Sequence, residues 1–92
     1  MPLGVIKLSI MTQEEHNAIV ERFFIALQDL KATRKLRGVK TFCDRYGIHR
    51  RTLRRIQVEH TQELRVSWLT VMVRDYGISA SWLLTGEGEM YG

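Results

Sequence analysis

The chain has very little of the chemistry that cross-links small domains or builds metal centres. Cys43 is the single cysteine, so no disulfide can form within the chain and no multi-cysteine zinc site can exist. The three histidines, His16, His49 and His60, are far apart and lack the spacing of zinc ligands. The sequence therefore predicts no metal and no cofactor, and Cys43 is interpreted as a small buried residue.

Proline and long apolar runs are also scarce. Pro2 is the single proline and no low-complexity linker interrupts the 92 residues, which fit one domain with one core. No apolar run is long enough to cross a bilayer. Residues 5–10 form a short, mostly apolar segment, but the start of the chain lacks the basic residues and the cleavage site of a signal peptide. We therefore expect a cytoplasmic protein without a membrane partner.

Acidic residues are nearly missing from one segment. Between positions 31 and 55, Asp44 is the only acid, whereas ten of the fourteen basic residues lie there. These ten are Lys31, Arg34, Lys35, Arg37, Lys40, Arg45, Arg50, Arg51, Arg54 and Arg55. Such an asymmetry is typical of a protein that binds a polyanion, the alternative being a solvated basic surface with no partner.

Apolar spacing and glycine positions predict an all-α fold of five helices. We expect them at about residues 13–31, 39–46, 49–57, 65–76 and 79–85. Thr12 and Glu15 have the spacing of a capping box, which places the start of the first helix after Thr12. The fourth helix is expected to turn one apolar stripe inward, formed by Val66, Leu69, Val73 and Tyr76.

The first residues fit this pattern poorly. We interpret residues 1–11 as an extension outside the core and residues 12–92 as the folded domain. A strand used for dimerisation is the alternative for the first ten residues.

The third helix separates charge from apolar surface. At about 100° per residue, Arg50, Arg51, Arg54 and Arg55 share one side of a helical wheel, and Leu53 and Ile56 share the other. Four like charges on adjacent turns weaken an isolated helix, because they repel one another. The arrangement is favourable when phosphates and guanine edges supply the anions, since arginine can donate two hydrogen bonds to guanine O6 and N7.

Residues 38–88 resemble the helix-turn-helix domain of lambda-repressor-like (XRE family) regulators. The resemblance is carried first by the run Phe42-Cys43-Asp44-Arg45-Tyr46-Gly47-Ile48, with a small residue at position 43 and the turn glycine at position 47. Leu53 and Ile56 match the two buried positions of the recognition helix. The closing signature of many phage-type repressors is matched by Trp82-Leu83-Leu84-Thr85-Gly86-Glu87-Gly88.

The resemblance implies a compact five-helix DNA-binding domain whose second helix lies across the DNA backbone and whose third enters the major groove. It implies a homodimer on a palindromic site. Carried over by position, the groove-facing residues are His49, Arg50, Arg51, Arg54 and Arg55, and Lys40 meets a phosphate. Near the helix start, Arg50 and Arg51 are the expected base readers, whereas Arg55 is expected to hold the backbone.

One internal echo competes with this assignment. The run Asp75-Tyr76-Gly77-Ile78 resembles Arg45-Tyr46-Gly47-Ile48, thirty residues earlier. The helix after the second run is apolar, with Trp82, Leu83 and Leu84, so it suits core packing or a protein interface better than DNA. Trp68 and Trp82 are interpreted as packing residues.

The expected function is sequence-specific binding of double-stranded DNA by a prokaryotic or phage transcriptional regulator, in the role of a repressor. The alternative is a protein-interaction module of the same fold, such as an antitoxin or anti-repressor, that uses the C-terminal apolar segment 82–91. An RNA target fits less well, because a helix suits the DNA major groove and not the narrow RNA one. No catalytic constellation stands out, so an enzyme is not expected.

Overall fold

The structure is a computed structural model that describes the backbone of residues 2–59 and 64–92 and the side chains of residues 13–59 and 64–92. Five helices occupy these residues: α1 (Pro2–Ala32), α2 (Val39–Tyr46), α3 (Arg50–Glu59), α4 (Val66–Tyr76) and α5 (Ala80–Thr85). The described ranges contain no strand, only an isolated antiparallel bridge between Ile78 and Tyr91. The predicted all-α class with five helices is confirmed for this part of the chain.

The first helix begins earlier than the capping pattern indicates. α1 starts at Pro2, so the predicted start after Thr12 is wrong, and residues 2–10 are helical instead of forming a strand. Proline is well tolerated in a first helical turn, where its missing N–H has no partner to lose. The side chains of residues 1–12 lie outside the described part, and their place relative to the core stays a prediction.

The inner face of α1 organises the core. Val20, Phe23, Leu27 and Leu30 recur at helical spacing and are buried, together with Ala26. This face packs against α3 and α5, and α2 packs against α3. α1 therefore supports both α3 and α5.

The inner face of α4 differs from the prediction. Val66 and Val73 are exposed, whereas Trp68, Val71 and Met72 are buried. Leu69 and Tyr76 from the predicted stripe do pack against the core. Both sides of this helix are apolar in sequence, and burying the side of Trp68 and Met72 removes more apolar surface from water than burying two valines.

The C-terminal residues fold back over the start of α5. The Ser79 N–H donates to the Met90 carbonyl at 2.7 Å, and the Gly92 N–H donates to the Gly77 carbonyl at 3.2 Å. The Tyr91 hydroxyl donates to Oδ2 of Asp29, a residue of α1, at 2.5 Å. Within the described residues, no helix is both long and apolar enough to span a membrane.

Candidate nucleic-acid interface

The turn between α2 and α3 fixes where α3 begins. Gly47 adopts the left-handed conformation (φ 66°, ψ 35°) that favours glycine, and its N–H donates to the Cys43 carbonyl. The Ile48 N–H donates to the same carbonyl at 2.9 Å, and the Ile48 side chain is buried. The buried turn therefore anchors α3 at its N-terminal end.

Cys43 lies at the contact between these helices. Its side chain is buried, and burial raises the pKa of the thiol, partly offset by the positive charge of Arg50. A buried thiol with a raised pKa is a poor nucleophile. Cys43 therefore serves as a small packing residue, as the sequence predicts.

α3 presents two chemically different faces. Leu53 and Ile56 are each 1 % exposed, and Thr52 lies at the edge between the two faces. Arg50, Arg51, Arg54 and Arg55, which we call the arginine face, are all exposed. The separation predicted from the helical wheel is confirmed.

The cations of the arginine face lack partners within the described chain. No hydrogen bond or ion pair joins any of the four guanidinium groups to another residue in 13–59 or 64–92. The nearby acid, Asp44, is 3.0 Å from Lys40 Nζ on α2. Four guanidinium groups on one face are thus available to an external anion, for which arginine offers charge-assisted hydrogen bonds.

The two remaining predicted site residues differ in their surroundings. His49 is exposed and precedes the first residue of α3. Lys40 is exposed but paired with Asp44, with 73 % and 65 % of the two side chains accessible. Such exposed pairs contribute only about 0–1 kcal/mol, so a phosphate can replace the carboxylate.

A second set of cations runs from the last turn of α1 into the segment before α2. Lys31, Arg34, Lys35 and Arg37, which we call the basic segment, are all exposed. Arg34 has a positive φ of 63°, and Lys35 Nζ lies 4.1 Å from the centre of the Tyr91 ring. The charge of this segment is evident in the sequence. Its position beside the N-terminus of α2 is seen only in the structure.

A cleft that the sequence does not indicate lies between α1 and α3. This arginine cleft has a volume of about 750 Å³ and is lined by Arg50, Arg51 and Arg54 but not by Arg55. The start of α2 contributes Val39. The arginine face is therefore divided: three of its members border a recess and the fourth does not.

Two exposed arginines outside α3, Arg45 on α2 and Arg74 on α4, have partners. The Tyr46 hydroxyl donates to Asp75 Oδ2 at 2.8 Å, and Arg74 Nε donates to Asp75 Oδ1 at 2.8 Å. Arg45 Nη1 donates to the Tyr76 hydroxyl at 3.0 Å. Hydrogen bonds from Arg74 and Tyr46 lower the pKa of Asp75 to about 2, and burial raises the pKa of Tyr46. This network joins α2 to α4, and within it the charge of Arg74 is paired with that of Asp75.

Most apolar side chains of the C-terminal segment 82–91 are used within the fold. Leu83 is fully buried, and Trp82, Met90 and Tyr91 pack against the core. Leu84 is the large apolar side chain of this segment that remains well exposed. The packing role predicted for Trp68 and Trp82 is confirmed.

The described residues contain no group of three or more histidine, cysteine or acidic side chains able to hold a metal ion. Comparisons with protein families, with curated proteins and with solved structures found no match to the chain.

Proposed function

We propose that the protein binds double-stranded DNA in a sequence-specific manner, with α2 and α3 acting as a helix-turn-helix of the lambda-repressor-like type. The observation that carries the proposal is the arginine face: four exposed guanidinium groups without a described partner, on a helix anchored by its opposite face. An α-helix fits the major groove, and arginine recognises guanine there. Lys40 and the basic segment extend the cationic surface toward phosphates.

The biological role that fits is a cytoplasmic transcriptional regulator of a prokaryote or phage, in the form of a homodimer that represses from a palindromic site. The protein-interaction alternative has less support, because Leu83, Trp82, Met90 and Tyr91 are already engaged in the fold. A partner on that segment would have to use Leu84 and the neighbouring polar surface.

Selection from random duplex DNA, followed by affinity measurements on the selected and random sequences, tests the proposal. Arg51→Ala should weaken binding to the selected site by about 1–3 kcal/mol and relax its base preference, because it removes a guanine contact. Lys40→Ala should weaken both DNAs similarly. Arg74→Gln is the matched control, since Arg74 is an exposed arginine already paired with Asp75. Equal losses on both DNAs for every arginine of α3 would contradict base recognition.

A further inference from the structure

The arginine cleft combines an apolar surface with a cationic one. Its apolar lining, which we call the floor, comes from the partly exposed Phe24 and Val39 and the exposed Val58. Leu27 and Leu53 also border the cleft, but each is only 1 % exposed. Its rim carries the guanidinium groups of Arg50, Arg51 and Arg54. A phosphate of the DNA backbone pairs with the rim and leaves the floor unused.

The charge of the cleft is of one sign. Among the described residues that line it there is no aspartate or glutamate, and the polar side chains other than the arginines are Gln28 and Gln57. The guanidinium groups have no described partner that a ligand would first have to displace. A neutral apolar molecule would leave these cations unpaired, and a bare inorganic anion would leave the apolar floor in contact with water. An amphipathic anion satisfies both surfaces.

We propose that the arginine cleft binds a small amphipathic anion: an aromatic or alkyl body that carries a carboxylate, phosphate or sulfonate. The body lies against Phe24, Val39 and Val58, and the anionic group accepts hydrogen bonds from the guanidinium groups at the rim. A volume of about 750 Å³ is within the usual range of small-molecule sites. The same arginines face DNA in the proposed function, so the ligand and DNA compete for them. This competition rests on the proposed function.

A neighbouring groove on α1 provides an internal contrast. It has a volume of about 650 Å³ and also borders Phe24, but its described lining includes Glu21 and Asp29 and no arginine or lysine. Ile25, which is half exposed, lies in this groove and not in the arginine cleft. An anion should therefore not bind in this groove. A substitution of Ile25 that weakens binding would show that the ligand lies in the groove and not in the arginine cleft.

Titration of the full chain with 8-anilinonaphthalene-1-sulfonate, an aromatic sulfonate that fluoresces in apolar surroundings, tests ligand binding without DNA. We expect saturable binding to one site. Arg54→Gln should weaken it about tenfold, as expected for the loss of a charge-assisted hydrogen bond. Arg55→Gln removes the same charge from the same helix but outside the cleft, and should change the affinity less than about twofold, in the range of exposed charge effects.

Three results would overturn the proposal: no saturable binding, equal losses for Arg54→Gln and Arg55→Gln, or loss of binding in Ile25→Ser but not in Arg54→Gln. Circular dichroism of each variant shows that it is folded, and both arginines are exposed, so these variants should fold normally.

Competition is then measured with a fluorescently labelled duplex. The sulfonate should displace DNA from the wild-type protein and fail to do so at the same concentration from Arg54→Gln. DNA binding that the sulfonate leaves unchanged would overturn the competition. A protein that binds the sulfonate but no DNA would instead contradict the proposed function and leave the cleft assignment standing.

Discussion

The chain contains two versions of one turn followed by a helix, at residues 45–55 and 75–85. Gly47 and Gly77 both have a left-handed backbone, with φ of 66° and 71°. The isoleucine after each glycine is buried, and the leucine six residues after each glycine is at most 1 % exposed. The two units therefore share the turn geometry and the same way of anchoring the next helix.

The units differ at the positions that face away from the core. Exposed arginines occupy four of these positions in α3, where α5 has Ala80, Ser81, Leu84 and Thr85, which are also exposed. The carbonyls of Leu83 and Leu84 at the end of α5 accept hydrogen bonds from Arg22 at 2.8 and 3.1 Å. The comparison teaches that the turn and its buried residues specify a docked helix, whereas the exposed side chains decide what that helix can bind.

Exchanging these exposed side chains should have the largest effect. A variant with the α5 residues on α3 (Arg50→Ala, Arg51→Ser, Arg54→Leu, Arg55→Thr) should lose about a thousandfold or more in affinity for the selected DNA. The reason is that each arginine contact contributes about 1 kcal/mol or more. The affinity should also depend less on salt, with the slope falling by about one for each lost phosphate contact. Fluorescence anisotropy at several salt concentrations measures both quantities.

The matched control removes the same number of charges elsewhere. Replacing Lys31, Arg34, Lys35 and Arg37 of the basic segment by glutamine lowers the net charge equally and leaves α3 intact. This control should weaken selected and random DNA to the same extent. If the two quadruple variants behaved alike, net charge alone would explain binding and the arginine face would have no special role.

The two buried leucines should be equivalent in stability. Leu53→Ala and Leu83→Ala each leave a cavity in the core and should lower the free energy of unfolding by about 2–5 kcal/mol. Urea denaturation measures the loss, and Leu84→Ala, at a half-exposed position on α5, is the control with an expected change within about 0.5 kcal/mol. A small loss in only one of the two buried variants would show that one unit is not anchored by its leucine.

The sequence predicts these two units well because their information is local. Helical spacing separates Leu53 and Ile56 from the arginines, and each glycine identifies its turn without reference to the rest of the chain. α4 was predicted less well, since Val66 and Trp68 belong to different apolar stripes and only the partner helices decide which stripe is buried. The early start of α1 was missed because a capping pattern at Thr12 does not prevent a helix from beginning upstream.

The candidate site was predictable only as a list of residues. The arginines and their common face follow from α3 alone, but the arginine cleft needs Phe24 and Leu27 of α1 beside them. The bond between Tyr46 and Asp75 joins residues 29 positions apart in the chain. No local pattern indicates which of several nearby arginines, Arg45 and Arg74 among them, already has a partner.

The two turn glycines should respond alike to substitution. Alanine at position 47 or 77 must adopt a positive φ, which costs about 1–2 kcal/mol. An added Cβ meets no atom within 4 Å at either position, so backbone strain is the whole effect. Thermal unfolding of Gly47→Ala and Gly77→Ala measures it. The control is Gly38→Ala, where φ is 173° and the space is also open. A much larger loss at one turn would reveal a constraint that the other turn lacks.

The smallest expected effect concerns the carboxylate that joins the two units. The pKa of Asp75 is lowered to about 2 by hydrogen bonds from Arg74 and Tyr46, whereas an unfolded aspartate titrates near 4. A lowered folded-state pKa means that ionised Asp75 stabilises the fold above about pH 4, and that this stabilisation disappears as the pH falls from about 4 to 2. The effect is modest, since the network is partly exposed to solvent.

Urea midpoints between pH 5 and pH 2 should fall less steeply in Asp75→Asn than in the wild type. The control is Asp44→Asn, which breaks only the exposed pair with Lys40 and should keep most of the wild-type slope. An unchanged slope in Asp75→Asn would show that protonation of Asp75 does not contribute to the pH dependence of stability.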